Sequence, residues 1–278
     1  MSMEIYYFSG AGNSLAAARD IAEGTGGRVI SIASFMGREH IDIDADTIGF
    51  VFPIHGFAAA PAMGKFATKF TDLSGKYIFA VGTYGLLPNR ALKRFAKVIA
   101  SQGGELASGF VVRMPHSGLG GPEKPRKRKK ILNKWDAKLP TVCECITNKR
   151  KNRLEATNSF VHGILGGAII RKLPTLFFVF FRVIKDGWES LALKADDRCD
   201  GCGICEKICP TANIEIADGR PIWHDRCEMC FACLQWCPRE SIQAGRVTIG
   251  CERYHHPAVT LKDMIASAGA GTGIAVQK

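Results

Sequence analysis

Apolar and polar positions alternate in blocks through the first 115 residues. Met3–Phe8 is a short apolar run ending in a glycine-bearing turn, and from Leu15 to Glu23 the apolar residues return at helical spacing. Arg28–Ile32 reads as a second strand, closed by polar and acidic loop residues. Thr47–Pro53 (TIGFVFP) is almost continuously apolar, as a strand covered on both faces should be. Met63, Phe66, Ala67 and Phe70 then recur at helical intervals between Pro61 and Phe70. Tyr77–Gly82 is a fourth strand, Asn89–Ser101 an amphipathic basic helix, and Leu106–Met114 a fifth strand. Five strands alternating with helices predict an α/β fold: an open, doubly wound parallel sheet with helices on both faces.

Beyond this region the rhythm changes. Glu123 to about Asn158 is charged and mostly helical in character. The longest apolar region, Ser159–Ile184, is interrupted by Arg171, Lys172 and Arg182 into uncharged runs of 12 and 9 residues. Both fall short of the ~20 residues a membrane-spanning helix needs. It reads as a buried or surface-lying connection, and a membrane surface would meet it at Phe177, Phe178, Phe180 and Phe181. Arg171–Lys194 continues as a helical connection. Asp196–Pro221 and Ile222–Arg246 then form an internal repeat of about 28 residues, each copy a loop followed by a short helix and strand. A last helix is expected over Thr260–Ser267, followed by an Ala/Gly-rich disordered end. The expected divisions are therefore 1–158, 159–195, 196–255 and 256–278.

The repeat carries the chemistry. Cys199, Cys202, Cys205 and Cys209 precede Pro210, and Cys227, Cys230, Cys233 and Cys237 precede Pro238. Each run reads C-x₂-C-x₂-C-x₃-C-P, the ligand spacing of a [4Fe–4S] cubane. Three thiolates wrap one cluster from a single loop, and the proline turns the chain so that the fourth reaches the other cluster. The expected ligand sets are thus Cys199, Cys202, Cys205 and Cys237 for one cluster, and Cys227, Cys230, Cys233 and Cys209 for its mate. C-x₂-C pairs also build zinc sites, but zinc takes four ligands and has no use for a third cysteine two residues further on, twice over.

Composition changes the picture at two points. Of the 11 cysteines, eight are accounted for as metal ligands, and Met1–Phe8 is too short for a signal-peptide core, so a reducing cytoplasm is the expected setting. The remaining Cys143, Cys145 and Cys251 are expected to be free thiols. The formal charge of +11 is concentrated: Arg113–Arg153 holds 13 Lys/Arg against 3 Asp/Glu, while Ala195–Lys278 holds 9 against 11. Lys124–Lys130 (KPRKRKK) has few aromatics nearby and no accompanying nucleic-acid motif, so it fits a solvated helix start or a dock for an acidic protein partner better than nucleic acid. His255-His256 before Pro257 reads as a turn, and His116 carries no signal of its own. No Ser–His–Asp set or carboxylate pair supports hydrolytic chemistry.

The turn Ser9-Gly10-Ala11-Gly12-Asn13-Ser14 follows the first strand and opens the first helix. There, backbone N–H groups and the positive end of a helix dipole suit a phosphate. The dinucleotide fingerprint does not fit, because Leu15 stands at its third glycine and no acidic residue ends the second strand. YFSGAGNSLAAA resembles the phosphate loop of flavodoxins, with Ser, Ala and Ser where flavodoxins usually carry threonines. The whole chain is similar to the flavodoxin–ferredoxin fusion proteins of anaerobes, in which a flavodoxin-like domain precedes a two-cluster ferredoxin module.

The resemblance implies FMN, strand order 2-1-3-4-5, and a ring lying across the loops Pro53–Pro61 and Thr83–Pro88. It makes Pro53, His55, Phe57 and Tyr84 candidates to touch the ring, with the backbone of Gly56, Thr83 and Gly85. No tryptophan lies in either loop, so a more open ring is expected. The functional expectation is an electron carrier relaying single electrons between two clusters and FMN, and on to a redox protein. A flavin reductase of a small molecule fed by the clusters, or a flavin-free redox sensor, are the alternatives.

Overall fold

The computed structural model describes residues 2–56, 58–119, 121–156 and 192–269. Phe57, the apolar stretch Ser159–Ile184, the helical connection up to residue 191 and the C-terminal end beyond 269 lie outside the described residues.

The N-terminal half is built on a parallel sheet whose strands are β1 (Met3–Tyr7), β2 (Arg28–Ser31), β3 (Thr47–His55), β5 (Tyr77–Tyr84) and β6 (Leu106–Arg113). Their order is β2-β1-β3-β5-β6, so the chain runs outward one way from β1 and then reverses through β3. That is the doubly wound order with a switch point between β1 and β3. Helices α1 (Asn13–Thr25), α2 (Pro61–Ala67) and α3 (Ala91–Ala100) provide the crossovers. The sheet divides two apolar layers. One gathers Ile5, Leu15, Ile21, Val51, Phe79 and Phe110; the other gathers Tyr6, Phe50, Phe66, Phe70 and Phe95. Tyr6 and Phe66 meet as tilted rings, 5.1 Å between centroids, in the second layer.

The strands keep the expected order with shifted ends. β3 runs to His55 and folds back through Gly56 (φ 52°) onto a two-residue strand, β4 (Ala58–Ala59). The segment read as an open loop after Pro53 therefore begins as a hairpin, whose ladder holds His55 opposite Ala58. A local hydrogen-bonded turn of this kind leaves no apolar period to read.

The basic segment folds as α4 (Pro125–Thr147), shorter than its charge pattern suggests. It packs on α1 through small and aromatic residues. The Trp135 indole N–H donates to the Asp20 carboxylate at 2.6 Å, and a Cβ on Gly24 would lie 2.6 Å from Cys143 Sγ. Cys143 is thus a packing residue, and burial pushes its thiol up.

The C-terminal module contains β7 (Leu193–Ala195), α5 (Ile204–Lys207), β8 (Ile214–Ala217), β9 (Arg220–Trp223), α6 (Ala232–Gln235) and β10 (Ile242–Ala244), followed by α7 (Leu261–Gly269). β8 and β9 pair as a hairpin, and β10 pairs with β7. Among the described residues no helix is long and apolar enough to cross a membrane.

The module sits directly on the glycine turn after β1. The Trp236 indole N–H donates to Gly10 O at 3.0 Å, and His256 N–H donates to Ala11 O at 2.9 Å. The Tyr254 hydroxyl donates to Asn13 Oδ1 at 3.0 Å, while Asn13 Nδ2 donates to Pro115 O at 3.0 Å. Gly10 is required here because a Cβ would overlap the Cys230 carbonyl. These bonds join groups that are buried on both sides, so each would be expensive to leave unpaired.

Candidate functional site

The two cysteine runs fold into two chambers. Cys199, Cys202, Cys205 and Cys237 line one. Cys209, Cys227, Cys230 and Cys233 line the other. In each chamber one cysteine comes from the opposite copy of the repeat. The backbone explains how three cysteines of one run share a chamber. Gly201 (φ 70°) and Gly203 (φ 73°) take the left-handed conformation between Cys199 and Cys205, curling that loop around a centre. Among the described residues no three His, Cys, Asp or Glu side chains are arranged to hold a single metal ion.

The chambers fit a cluster in their chemistry as well as their donor count. Burial pushes Cys205 up to about 11 and Cys230 up to about 12, and neighbouring cysteines raise both further. Cys233 is raised well above its ordinary value, first by burial and then by Cys230. A polycationic iron centre reverses this balance by stabilising thiolates. Donors already point at the sulfurs: Asn213 N–H donates to Cys209 Sγ at 3.3 Å, and the Ser241 hydroxyl lies 3.3 Å from Cys237 Sγ. Buried Asn213 Nδ2 and Trp223 Nε1 have no partner within hydrogen-bond distance. Orphaned N–H groups beside a thiol cage are suited to sulfide acceptors, and such hydrogen bonds are among the terms that set cluster potentials.

A larger cleft, about 1420 Å³ of empty space partly open to solvent, lies at the C-terminal edge of the sheet. Ser9, Gly10, Ala11, Asn13, Ser14, Pro53, His55, Gly56, Thr83, Tyr84 and Gly85 all line it. Of the described residues predicted for the site, Gly12 alone is not part of this lining. It faces away, and its αL conformation (φ 91°) leaves room for His256 and Val259. Phe57 lies outside the described residues. The Ser14 and Thr83 hydroxyls are 2.9 Å apart, joining the glycine turn to the end of β5. Asn13 spends its side-chain amide on Tyr254 and Pro115, so only its backbone is left to offer a ligand.

His55 and Tyr84 hold their protons oppositely. Burial pushes the His55 imidazole below its usual range, partly offset by Glu228, so it is neutral at pH 7. Burial raises the Tyr84 phenol, which keeps its proton. Both can therefore exchange hydrogen bonds with a polar ring edge without carrying charge.

Sequence reasoning missed two groups in this cleft. Met114, Pro115, His116, Ser117 and Leu119 follow β6 and form one side. Their position after a fifth parallel strand was the available signal, since ligands gather at the carboxyl ends of such strands. Met229, Cys230 and Phe231 form another side. They belong to the second cysteine loop, 220 positions from Gly10 in sequence, and no local pattern announces that approach.

Residues 195–215 match the 4Fe-4S binding domain family, Fer4. No curated protein matches the chain. Among solved structures, the chain is similar to a flavodoxin of Streptococcus pneumoniae at 18% identity, covering 51% of this chain and 99% of that one, with a TM-score of 0.34. It is also similar to a flavodoxin from the domain Archaea at 18% identity, covering 52% and 99%, with a TM-score of 0.35. A Megasphaera elsdenii flavodoxin matches at 21% identity over 39% of this chain and 85% of its own, with a TM-score of 0.33. The flavodoxin-like fold is read from the strand order, and the C-terminal module carries a segment that matches a 4Fe-4S binding family.

Proposed function

We propose that the chain relays electrons between two [4Fe–4S] clusters and FMN bound in the cleft, and exchanges them with a redox protein. One observation carries the reading: Cys230 and Phe231 line both the second cysteine chamber and the cleft. One residue-thick wall separates the two sites. The clusters supply one-electron steps and FMN supplies one- or two-electron steps.

The chain's own residues fix that proximity. Gly10 admits the Cys230 carbonyl, and Trp236 and His256 pin the module to the turn that would receive the phosphate. A transfer within one chain replaces a diffusive encounter with a high effective concentration. Cys202 in the first chamber and Cys227 in the second are both exposed, so each chamber reaches solvent. In this reading the second chamber stands next to the cleft and the first chamber hands electrons to the second, in either direction. The exposed basic positions of α4 and its approach, including Lys124, Arg126, Lys129, Lys130 and Lys134, suit an acidic carrier protein.

A second reading is favoured by the size of the cleft. Leu86, 45% exposed, and Leu87 line its rim, leaving an apolar margin where a small molecule could meet the ring. There the neutral His55 would hold or accept a proton.

Cofactor analysis after anaerobic purification tests the proposal. About eight irons and about one FMN per chain are expected. Zinc, or iron without any flavin uptake, would contradict it.

A further inference from the structure

The two cysteine loops have the same backbone and different residues at its two tightest points. In the first loop the left-handed positions are Gly201 (φ 70°) and Gly203 (φ 73°). In the second loop the matching positions are Met229 (φ 49°) and Phe231 (φ 59°). Gly203 caps α5 and Phe231 caps α6 in the same way. Wrapping a cubane thus demands two left-handed residues, and glycine meets that demand without strain. Side chains of this size are rare there, and residues held in such conformations cluster at ligand sites. Met229 and Phe231 both line the cleft, and Phe231 also lines the second chamber.

We infer that Met229 and Phe231 are flavin-binding residues: the iron–sulfur loop supplies one apolar wall of the cleft. This rests on the FMN reading of the cleft. A flat aromatic ring is well held by a phenyl edge or face and by a polarizable thioether. Among the described residues of the two sheet loops, Tyr84 alone is a large aromatic side chain. The wall is built only when the second loop is folded around its cluster. Flavin affinity is therefore coupled to assembly of that cluster, and the coupling is reciprocal.

Phe231 also packs against the module's small apolar core, so the test must separate binding from folding. Replacing both residues by glycine, as in the first loop, removes the side chains and relieves the strained backbone. The experiment is an anaerobic FMN fluorescence titration of wild type and Met229→Gly/Phe231→Gly, with iron content and the visible cluster absorption measured on the same samples. The double variant should keep its iron and bind FMN about tenfold or more weakly, since each lost ring contact is worth a few-fold. Phe231→Leu, which keeps apolar volume against the core, should lose a smaller factor and serves if the double variant fails to assemble. Unchanged affinity in an iron-replete variant of either kind would overturn the inference. A wild-type protein with full iron that binds no FMN would instead overturn the parent reading of the cleft.

Discussion

The first and second cysteine loops began as one pattern and now face different surroundings. The first carries glycine at both left-handed positions and is framed by exposed ion pairs, Arg198–Asp196 at 2.6 Å and Arg239–Asp200 at 2.8 Å. Its geometry is satisfied locally. The second carries Met229 and Phe231 at those positions, each at about 1 kcal/mol of conformational strain relative to glycine. It turns Cys230 onto the glycine turn of the sheet domain. The difference teaches that the repeat is symmetric in its cysteines and asymmetric in its neighbours: both loops carry an exposed cysteine, Cys202 or Cys227, while of the two it is the second that lines the cleft.

Removing one ligand from each loop should break that comparison most severely. Cys230→Ser is expected to lower iron from about eight to about four per chain and to abolish FMN binding. Cys202→Ser should lose similar iron yet keep FMN, and paired iron and flavin assays read both. Next in size is Gly10→Ala, whose Cβ cannot coexist with the Cys230 carbonyl. Forcing backbone apart at a packed contact should cost about 3 kcal/mol, measured by denaturant unfolding of the iron-replete protein.

Acid should loosen the same contact. His256, 7% exposed, has its pKa lowered to about 4 by burial. The unfolded chain binds this proton near pH 6.5 while the folded chain refuses it until about pH 4. The neutral imidazole therefore contributes full stability above pH 6.5, and as pH falls toward 4 about 3 kcal/mol is lost. Unfolding curves across that range should show the decline, and His256→Asn should flatten it. Trp236→Phe removes the bond to Gly10 O and should cost about 1–2 kcal/mol by the same unfolding measurement. Lys65→Ala, which breaks an ion pair to Glu228 from a lysine side chain 74% exposed, should change stability by less than about 1 kcal/mol.

What the chain reveals in sequence and what it conceals follow from range. β3 could be read because a strand buried on both faces must be apolar along its length, as Thr47–Pro53 is. The cysteine chambers were readable because three cysteines come from one loop and the fourth from a repeat in register with it. The glycine turn was readable as part of the cleft by its place between β1 and α1. Concealed were the features made by distant segments meeting: Trp236 on Gly10, Tyr254 on Asn13, and Phe231 in the cleft. Gly12, read from its local motif as part of the phosphate turn, also admits His256 and Val259, which the motif does not announce. The left-handed Met229 and Phe231 could not be seen either, because residue type argues against that conformation and only the surrounding loop imposes it.

The relay itself is tested most directly by the concentration dependence of flavin reduction. Iron- and FMN-replete protein is mixed anaerobically with a reductant that reaches the clusters first, and flavin absorbance is followed over a hundredfold dilution of the protein. If the second loop passes electrons across the wall shared by Cys230 and Phe231, the rate constant of the flavin phase stays the same at every protein concentration. A rate that falls in proportion to dilution would mean that electrons travel between molecules, and would contradict the account.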